Sequence, residues 1–361
     1  MKITVDRRAL AEALSLAQRV ASVAPHHLVR LDAADEELRI SAFNPDMRLD
    51  QVLPTRVDRA GSLLVDVAGL LRPTKAMVAR TFLDIEQRDA ALAITVPGAE
   101  CTLLRTQSPE DWIEAPAFEA REEVHFDDAA ALARVLTRVL PHASSDPERV
   151  GLCGVYLDGS AAPTRLVTTN GHTMVYAEVG GEAPSRLLPV EACALLIVAL
   201  KRPADGVSLQ FEEGWMRVVV QRTGGDLTLR ARLPEGEFPA YREILLDGRM
   251  NCEACLVVDR SALRQACMDC AGVAQYLVFD VRDDVLHVNA AGSDARMHEE
   301  IPVRLDGHSW PRASFDARLL ARLLEHAPDE VTLRMDGSSH LSVVFLDWPD
   351  GLGAIMPCRL D

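Results

Sequence analysis

Four cysteines, Cys252-x2-Cys255-x11-Cys267-x2-Cys270, are the residues whose types and spacing come nearest to a metal site, because paired C-x-x-C knuckles hold structural zinc. The usual double knuckle separates its pairs by about 15–20 residues, so eleven is short. Leu256-Val257-Val258 reads as a strand that ends at Asp259, which caps the helix after it. Cys252 and Cys255, three apart on extended backbone, then point to opposite faces. Cys267 and Cys270 share a helix face, where a free cysteine serves as a small buried hydrophobe. The reading is core thiols, with a zinc-dependent nucleic-acid enzyme as the competing class. Met1-Lys2-Ile3-Thr4-Val5-Asp6 lacks an apolar leader and reads as a strand start, so all eight cysteines are expected to be reduced in a cytosol. His172, in Thr169-Asn170-Gly171-His172, could be a general base, but no Ser or Cys nucleophile with a partner acid accompanies it. A pocket wall is the better role. No catalytic residue, metal or cofactor is expected.

The elements that must position these residues repeat. Val5-Asp6-Arg7-Arg8-Ala9-Leu10 recurs as Val258-Asp259-Arg260-Ser261-Ala262-Leu263, with a looser copy at Asp128-Ala129-Ala130-Ala131-Leu132. The three aspartates lie 122 and 131 residues apart, so the period is a whole domain. Each aspartate opens an apolar-periodic helix as its cap. A second helix follows about 60 residues later, then a pair of alternating strands such as Phe82–Glu86 with Ala91–Val96. The expected helices are 6–22, 65–80, 127–142, 189–202, 259–270 and 315–327. The fold class is α+β, with two helices per repeat packed on antiparallel β-sheets. The expected domains are residues 1–119, 120–248 and 249–361, rigidly joined, since neither boundary is a long Gly/Ser linker.

The chain has 361 residues, 48% of them hydrophobic, and no window approaches 18 uncharged apolar residues, so no membrane span is expected. Its formal charge of -16, from 38 basic and 54 acidic residues, argues at first against a nucleic-acid partner. Resolved by element, the six expected helices hold 14 basic and 10 acidic residues, a net of +4 against -20 for the remainder. Such an asymmetry suits helices that face phosphates on a protein acidic elsewhere. The basic residues concerned are Arg72, Lys75, Arg80, Arg134, Arg138, Lys201, Arg202, Arg260, Arg264, Arg318 and Arg322.

From Met1 to Leu360 the chain resembles the bacterial beta sliding clamp family, the beta subunit of DNA polymerase III. The resemblance rests on the Met1–Val5 strand before an Asp-led helix and on Thr169-Asn170-Gly171-His172, similar to the family's Thr-Asp-Gly-His turn. It rests also on Gly236-Glu237-Phe238-Pro239-Ala240-Tyr241-Arg242, similar to Gly-x-Phe-Pro-x-Tyr, and on the closing Met356-Pro357-Cys358-Arg359-Leu360. It implies a DNA clamp fold of three clamp domains and a head-to-tail homodimer that forms a ring around double-stranded DNA, independent of sequence. It implies a non-catalytic processivity factor, cytoplasmic and nucleoid-associated. Its partners would be a DNA polymerase catalytic subunit, a clamp loader and other clamp-motif peptides. The pocket for such peptides would comprise Leu152, Thr169, Gly171, His172, Thr173, Met174, Pro239, Glu243, Ile244, Ala354, Met356, Pro357, Cys358, Arg359 and Leu360. A divergent copy that acts in repair or on a mobile element shares all these features.

Departures from the family pattern carry expectations of their own. Thr173 and Glu243 stand where basic residues are common, and Ala354 and Cys358 where larger apolar ones are, which implies a roomier, more acidic pocket. Ala24 replaces a commonly basic residue, and Val150-Gly151 an aromatic pair. The resemblance pairs Cys101 and Leu103 of one subunit with Gly272 and Val273 of the other at the dimer seam. These side chains are small for that position, so a weaker dimer is expected.

Overall fold

The structure is a computed structural model. It describes residues 1–21, 27–96 and 99–359 and, within these, only the backbone of 99–104 and 111. The order β-α-β-β-β-β-α-β-β-β recurs three times. The first repeat holds β1 (Lys2–Asp6), α1 (Arg7–Val20), β2 (Leu28–Ala34), β3 (Glu37–Phe43), β4 (Met47–Arg59), β5 (Gly61–Asp66), α2 (Val67–Ala76), β6 (Phe82–Arg88), β7 (Ala91–Val96) and β8 (Ala99–Gln107). The second holds β9 (Glu122–Phe126), α3 (Ala129–Val139), β10 (Gly154–Asp158), β11 (Arg165–Thr169), β12 (Thr173–Glu178), β13 (Arg186–Pro189), α4 (Val190–Ala199), β14 (Gly206–Glu212), β15 (Trp215–Gln221) and β16 (Leu227–Arg232). The third holds β17 (Ala254–Asp259), α5 (Arg260–Val273), β18 (Tyr276–Arg282), β19 (Val285–Ala291), β20 (Arg296–Gly307), β21 (Ala313–Asp316), α6 (Ala317–Leu324), β22 (Glu330–Met335), β23 (Val344–Trp348) and β24 (Gly351–Ile355).

The aspartate caps explain why the helices start where they do. Asp6, Asp66, Asp128 and Asp259 accept from the backbone N–H three residues on, at 2.5–2.7 Å, and Asp316 accepts from Arg318 and Leu319 at 3.0 Å. α4 opens instead directly after Pro189, whose missing N–H costs a helix start nothing. Leu10, Leu14, Ala17 and Val20 recur at helical spacing on α1 and are fully buried. Several expected helix ends move inward, and at α2 and α4 the shift passes basic residues. α2 stops at Ala76, one turn past Pro73, which supplies no N–H to the helix ladder. α4 stops at Ala199, so Lys201 and Arg202 follow it.

The chain divides into two compact units, residues 1–134 with 191–233 and residues 135–190 with 234–361. The first unit contains one antiparallel sheet in the order β1-β6-β7-β8-β5-β2-β3-β4-β16-β15-β14-β9, with β1 also paired to β4. The second contains the sheet β13-β10-β11-β12-β24-β23-β22-β17-β20-β19-β18-β21. Within each unit the last strand of one repeat adds to the fourth strand of the repeat before it. β16 pairs with β4 from Ala231↔Met47 to Leu227↔Gln51, and β24 pairs with β12 from Ile355↔Thr173 to Gly351↔Ala177.

Candidate functional site

The seam between β12 and β24 carries a cavity of roughly 200 Å³. Its lining is Leu152, Thr169, Gly171, His172, Thr173, Met174, Pro239, Ile244, Val343, Ala354, Ile355 and Met356. Three local structures bring these residues together. The first is the turn between β11 and β12. Asn170 Oδ1 accepts from the backbone of His172 at 2.9 Å and of Thr173 at 2.8 Å, and Thr169 Oγ1 donates to the Thr173 carbonyl at 2.8 Å. Gly171 has φ +86°, a conformation that glycine adopts without strain, and a Cβ there would come within 2.9 Å of the Arg149 guanidinium.

The second is the segment from Gly236 into the helical turn Glu243–Met250. Phe238 stacks on Tyr156 with ring centroids 5.0 Å apart and planes 4° apart. Tyr241 donates its O–H to Asp158 at 2.5 Å, and Arg242 reaches the same carboxylate at 2.8 Å. Asp158 is 1% exposed. Burial alone would raise its pKa, but hydrogen bonds from Ser160, Tyr241 and Arg242 outweigh it and hold the carboxyl at about 2. This anchor fixes Pro239 and Ile244 on either side of it. Close backbone approach does the rest, since a Cβ on Gly151 would lie 2.3 Å from the Glu237 carbonyl oxygen. That contact explains a glycine at a position where the family resemblance leads one to expect an aromatic pair.

The third is the C-terminal tail. The N–H of Met356 donates to the His172 carbonyl at 2.8 Å, extending the β24–β12 pairing by one step. Beyond it the tail turns away, and the Cys358 N–H donates to Ser314 on β21 at 2.7 Å. Pro357, Cys358 and Arg359 therefore do not line the cavity. Glu243 is exposed beside Ile244 and does not line it either, whereas Thr173, which also stands where basic residues are common, does. Thr173 is buried and bonds inward, 3.2 Å from His142 Nδ1. Burial, with Arg322 and His326 nearby, lowers His142 to about 3, so the imidazole behind the pocket is neutral at pH 7.

Beneath the cavity Met174 and Ala354 join Tyr241, Leu245, Phe345 and Leu352 in one buried cluster. The cavity is thus an opening into the core, with an apolar floor, two buried threonines in its wall and His172 exposed at the lip. It suits the apolar anchors of a short peptide, and its polar groups are already engaged in holding the turn. Ile244 and Met356 are 42% and 44% exposed, a high value for large apolar side chains that line a depression. Val343 and Ile355 were missed in the sequence. Leu360 lies outside the described residues.

No family model matches the chain. It is 22% identical to the beta sliding clamp of Pseudomonas aeruginosa over 381 aligned positions, spanning all of both proteins. It is 24% identical to that of Synechocystis over 275 residues, 68% of this chain and 69% of the relative. Among solved structures, the DnaN sliding clamp (DNA polymerase III subunit beta) of Bartonella birtlesii bound to griselimycin superposes with a TM-score of 0.88 at 18% identity, over the full length of both chains. This chain has the sliding-clamp fold. The fold class and the family resemblance read from the sequence are both borne out.

Within the sliding-clamp fold, the charge asymmetry sharpens at the observed helix bounds. The six helices hold 11 Lys and Arg against three Asp and Glu, because the capping aspartates fall just outside. Arg72, Lys75, Arg134, Arg318 and Arg322 are exposed on the helices. Several of the cations are engaged. Arg134 pairs with Asp128 at 3.7 Å and Arg260 with Asp329 at 2.7 Å, Arg138 pairs with Asp350, and Arg322 donates to the Pro141 carbonyl at 2.9 Å. Arg264 is half-buried. Arg80, Lys201 and Arg202 are exposed but lie beyond their helices, and Arg202 pairs with Glu12 at 3.3 Å.

At the expected seam, Gly272 is exposed and Val273 half-buried at the end of α5, beside Met268 and Tyr276, which are 47% and 48% exposed. The side chains of Cys101 and Leu103, and Ala24 altogether, lie outside the described residues. The four cysteines of the knuckle pattern do not form a metal-ligating group among the described residues. Cys267 and Cys270 are buried on α5, and Cys255 sits on β17 with Cys252 before it. Burial raises all four thiols, Cys252 and Cys270 to about 11. Cys267 and Cys270 are core thiols, whereas Cys252 and Cys255 are half-buried.

Proposed function

We propose that this chain is a DNA sliding clamp, a non-catalytic processivity factor that closes as a head-to-tail homodimer around duplex DNA and tethers a polymerase through the β12–β24 pocket. The observation that carries the reading is the unfinished pairing rule. β16 completes β4 and β24 completes β12, which leaves the last strand of the first repeat and the fourth strand of the third without that partner. Among the described residues, Ala99–Leu104 of β8 pairs on one side only, with β7, and Arg296–Pro302 of β20 on one side only, with β19. Exposed strand edges are templates for another chain. Pairing β8 of one copy with β20 of another extends the same rule, and it closes after two copies if the rotation closes. The exposed Met268, Gly272 and Tyr276 supply apolar surface beside that edge.

The three clamp domains in this reading are residues 1–119, 120–248 and 249–361, and the central one contributes strands to both sheets. The excess of basic residues on the helices is the side offered to phosphates, with weak, sequence-independent contacts that permit sliding. Clients dock by apolar anchors in the pocket, as do a clamp loader and other clamp-motif proteins, in the cytoplasm at the nucleoid. No helix among the described residues is long and apolar enough to cross a membrane. The test is retention on DNA after treatment with a clamp loader. Retention on circular DNA with loss on linearisation is expected. Equal retention on both refutes topological binding.

A further inference from the structure

The face of β19 and β20 turned away from α5 carries a group of side chains that the clamp reading leaves without a role. His287 stands directly opposite Glu300 in the ladder, and Asn289 directly opposite His298. The four therefore form one square on one face of the sheet, since side chains two apart on a strand point the same way. His287 Nδ1 is 3.4 Å from Glu300 Oε1, and His298 Nε2 is 3.3 Å from the same oxygen. The three ligand atoms all lie within 4.8 Å of one another.

These separations are long for hydrogen bonds to a carboxylate, which run at about 2.7–2.9 Å. The two nitrogen–oxygen separations match the edge of a tetrahedron, about 3.3–3.4 Å, whose centre lies about 2.0–2.1 Å from each corner, the length of a zinc–nitrogen or zinc–oxygen bond. The imidazoles are also set up for a metal. Asn289 Nδ2 donates to the His287 carbonyl at 3.4 Å, which turns its Oδ1 toward His298 Nδ1 at 2.8 Å. An amide oxygen only accepts, so Nδ1 carries a proton, and in the neutral ring Nε2 presents its lone pair toward Glu300. A lone pair and a carboxylate facing each other need a cation between them. The two rings are stacked, 13° apart with centroids at 5.5 Å, so one ring must turn about its Cβ–Cγ bond for both lone pairs to meet at one ion.

We propose that His287, His298 and Glu300 form a surface site for a borderline transition-metal dication of the zinc class, with Asn289 as the residue that orients His298. Three protein ligands leave one position for water, and the ion clips β20 to β19 next to the strand edge that β20 exposes. The inference does not depend on the clamp reading, because it needs only the ladder register.

The experiment uses the full-length chain with any affinity tag removed and Co²⁺ as a spectroscopic probe, followed by Zn²⁺ competition. One equivalent of Co²⁺ bound per chain, with d–d bands and no sulfur-to-metal charge-transfer band, is expected. Zn²⁺ should raise the melting temperature of the wild type and not of His298→Ala or Glu300→Gln. Asn289→Ala should weaken binding about 10- to 100-fold while keeping the stoichiometry, as for other residues that orient a metal-bound histidine. Undiminished binding in His298→Ala, a thiolate charge-transfer band, or no binding by the wild type would each overturn the proposal. In the last case the cation between the imidazoles and Glu300 is a proton.

Discussion

Asp158→Asn isolates the anchor that holds one wall of the pocket. In the wild type this carboxylate is nearly inaccessible, accepts from Tyr241, Arg242 and Ser160, and titrates at about 2 rather than the ordinary 3.8. That difference corresponds to about 2.5 kcal/mol of stabilisation at neutral pH. Asparagine keeps the shape, and its oxygen still accepts from Tyr241, but its NH2 then faces the Ser160 N–H, so that bond is lost together with the charge beside Arg242. A carboxyl depressed by folding stabilises fully above its unfolded value and loses that contribution as pH falls through its folded value. The gap between wild type and variant is therefore full at pH 7, about half as large near pH 3, and nearly gone by pH 2. Thermal unfolding at pH 7 and pH 3 measures it, with an expected difference of about 5–10 °C at neutral pH for a unit of this size. Binding of a clamp-motif peptide should weaken in parallel, because Pro239 and Ile244 flank the anchor. Identical melting at pH 7, or a gap that widens on acidification, would refute the reasoning.

Ile244→Ala and Met356→Ala should each weaken a clamp-motif peptide by about tenfold or more in fluorescence anisotropy, with melting temperature unchanged because both side chains are already part-exposed. Gly272→Leu should tighten the homodimer by about ten- to a hundredfold in analytical ultracentrifugation. A side chain there meets nothing within 4 Å in the isolated chain, and the seam as it stands is expected to be weak. A wild-type dimer that persists at nanomolar concentration contradicts that expectation. His142 is held neutral by burial, so the unfolded chain gains a proton below pH 6.5 that the folded chain refuses until about pH 3. Stability should fall by about 2 kcal/mol between pH 7 and pH 5 from this residue alone, and His142→Gln should remove that part of the slope in urea titrations.

Much of this fold was legible because its signals are local. An aspartate, three backbone N–H groups and a helical apolar stripe lie within two turns of one another, so the caps at Asp6, Asp66, Asp128, Asp259 and Asp316 could be read directly. Helix ends were less legible. α2 ends at Ala76, before Arg80, and Lys201 and Arg202 fall past α4, which moves three of the expected basic residues off the helices. Most of the pocket came from motif resemblance. The missing residues, Val343 just before β23 and Ile355 at the end of β24, are placed by pairing β24 with β12, roughly 180 residues away in the chain. Sequence spacing carries no record of that register. Nor does spacing show that the bond from Cys358 to Ser314 draws the tail beyond Met356 away from this cavity.

The sequence by itself determined the repeat, the capped helices, the alternating strands and the separation of basic helices from an acidic remainder, since each depends on neighbours a few residues apart. Only the tertiary structure decided which strand edges are filled and which stay open. It also set which side of a turn lines the cavity, and it brought two histidines and a glutamate to one square of the β19–β20 ladder. These are outcomes of long-range pairing, where a shift of one residue would turn every side chain to the opposite face.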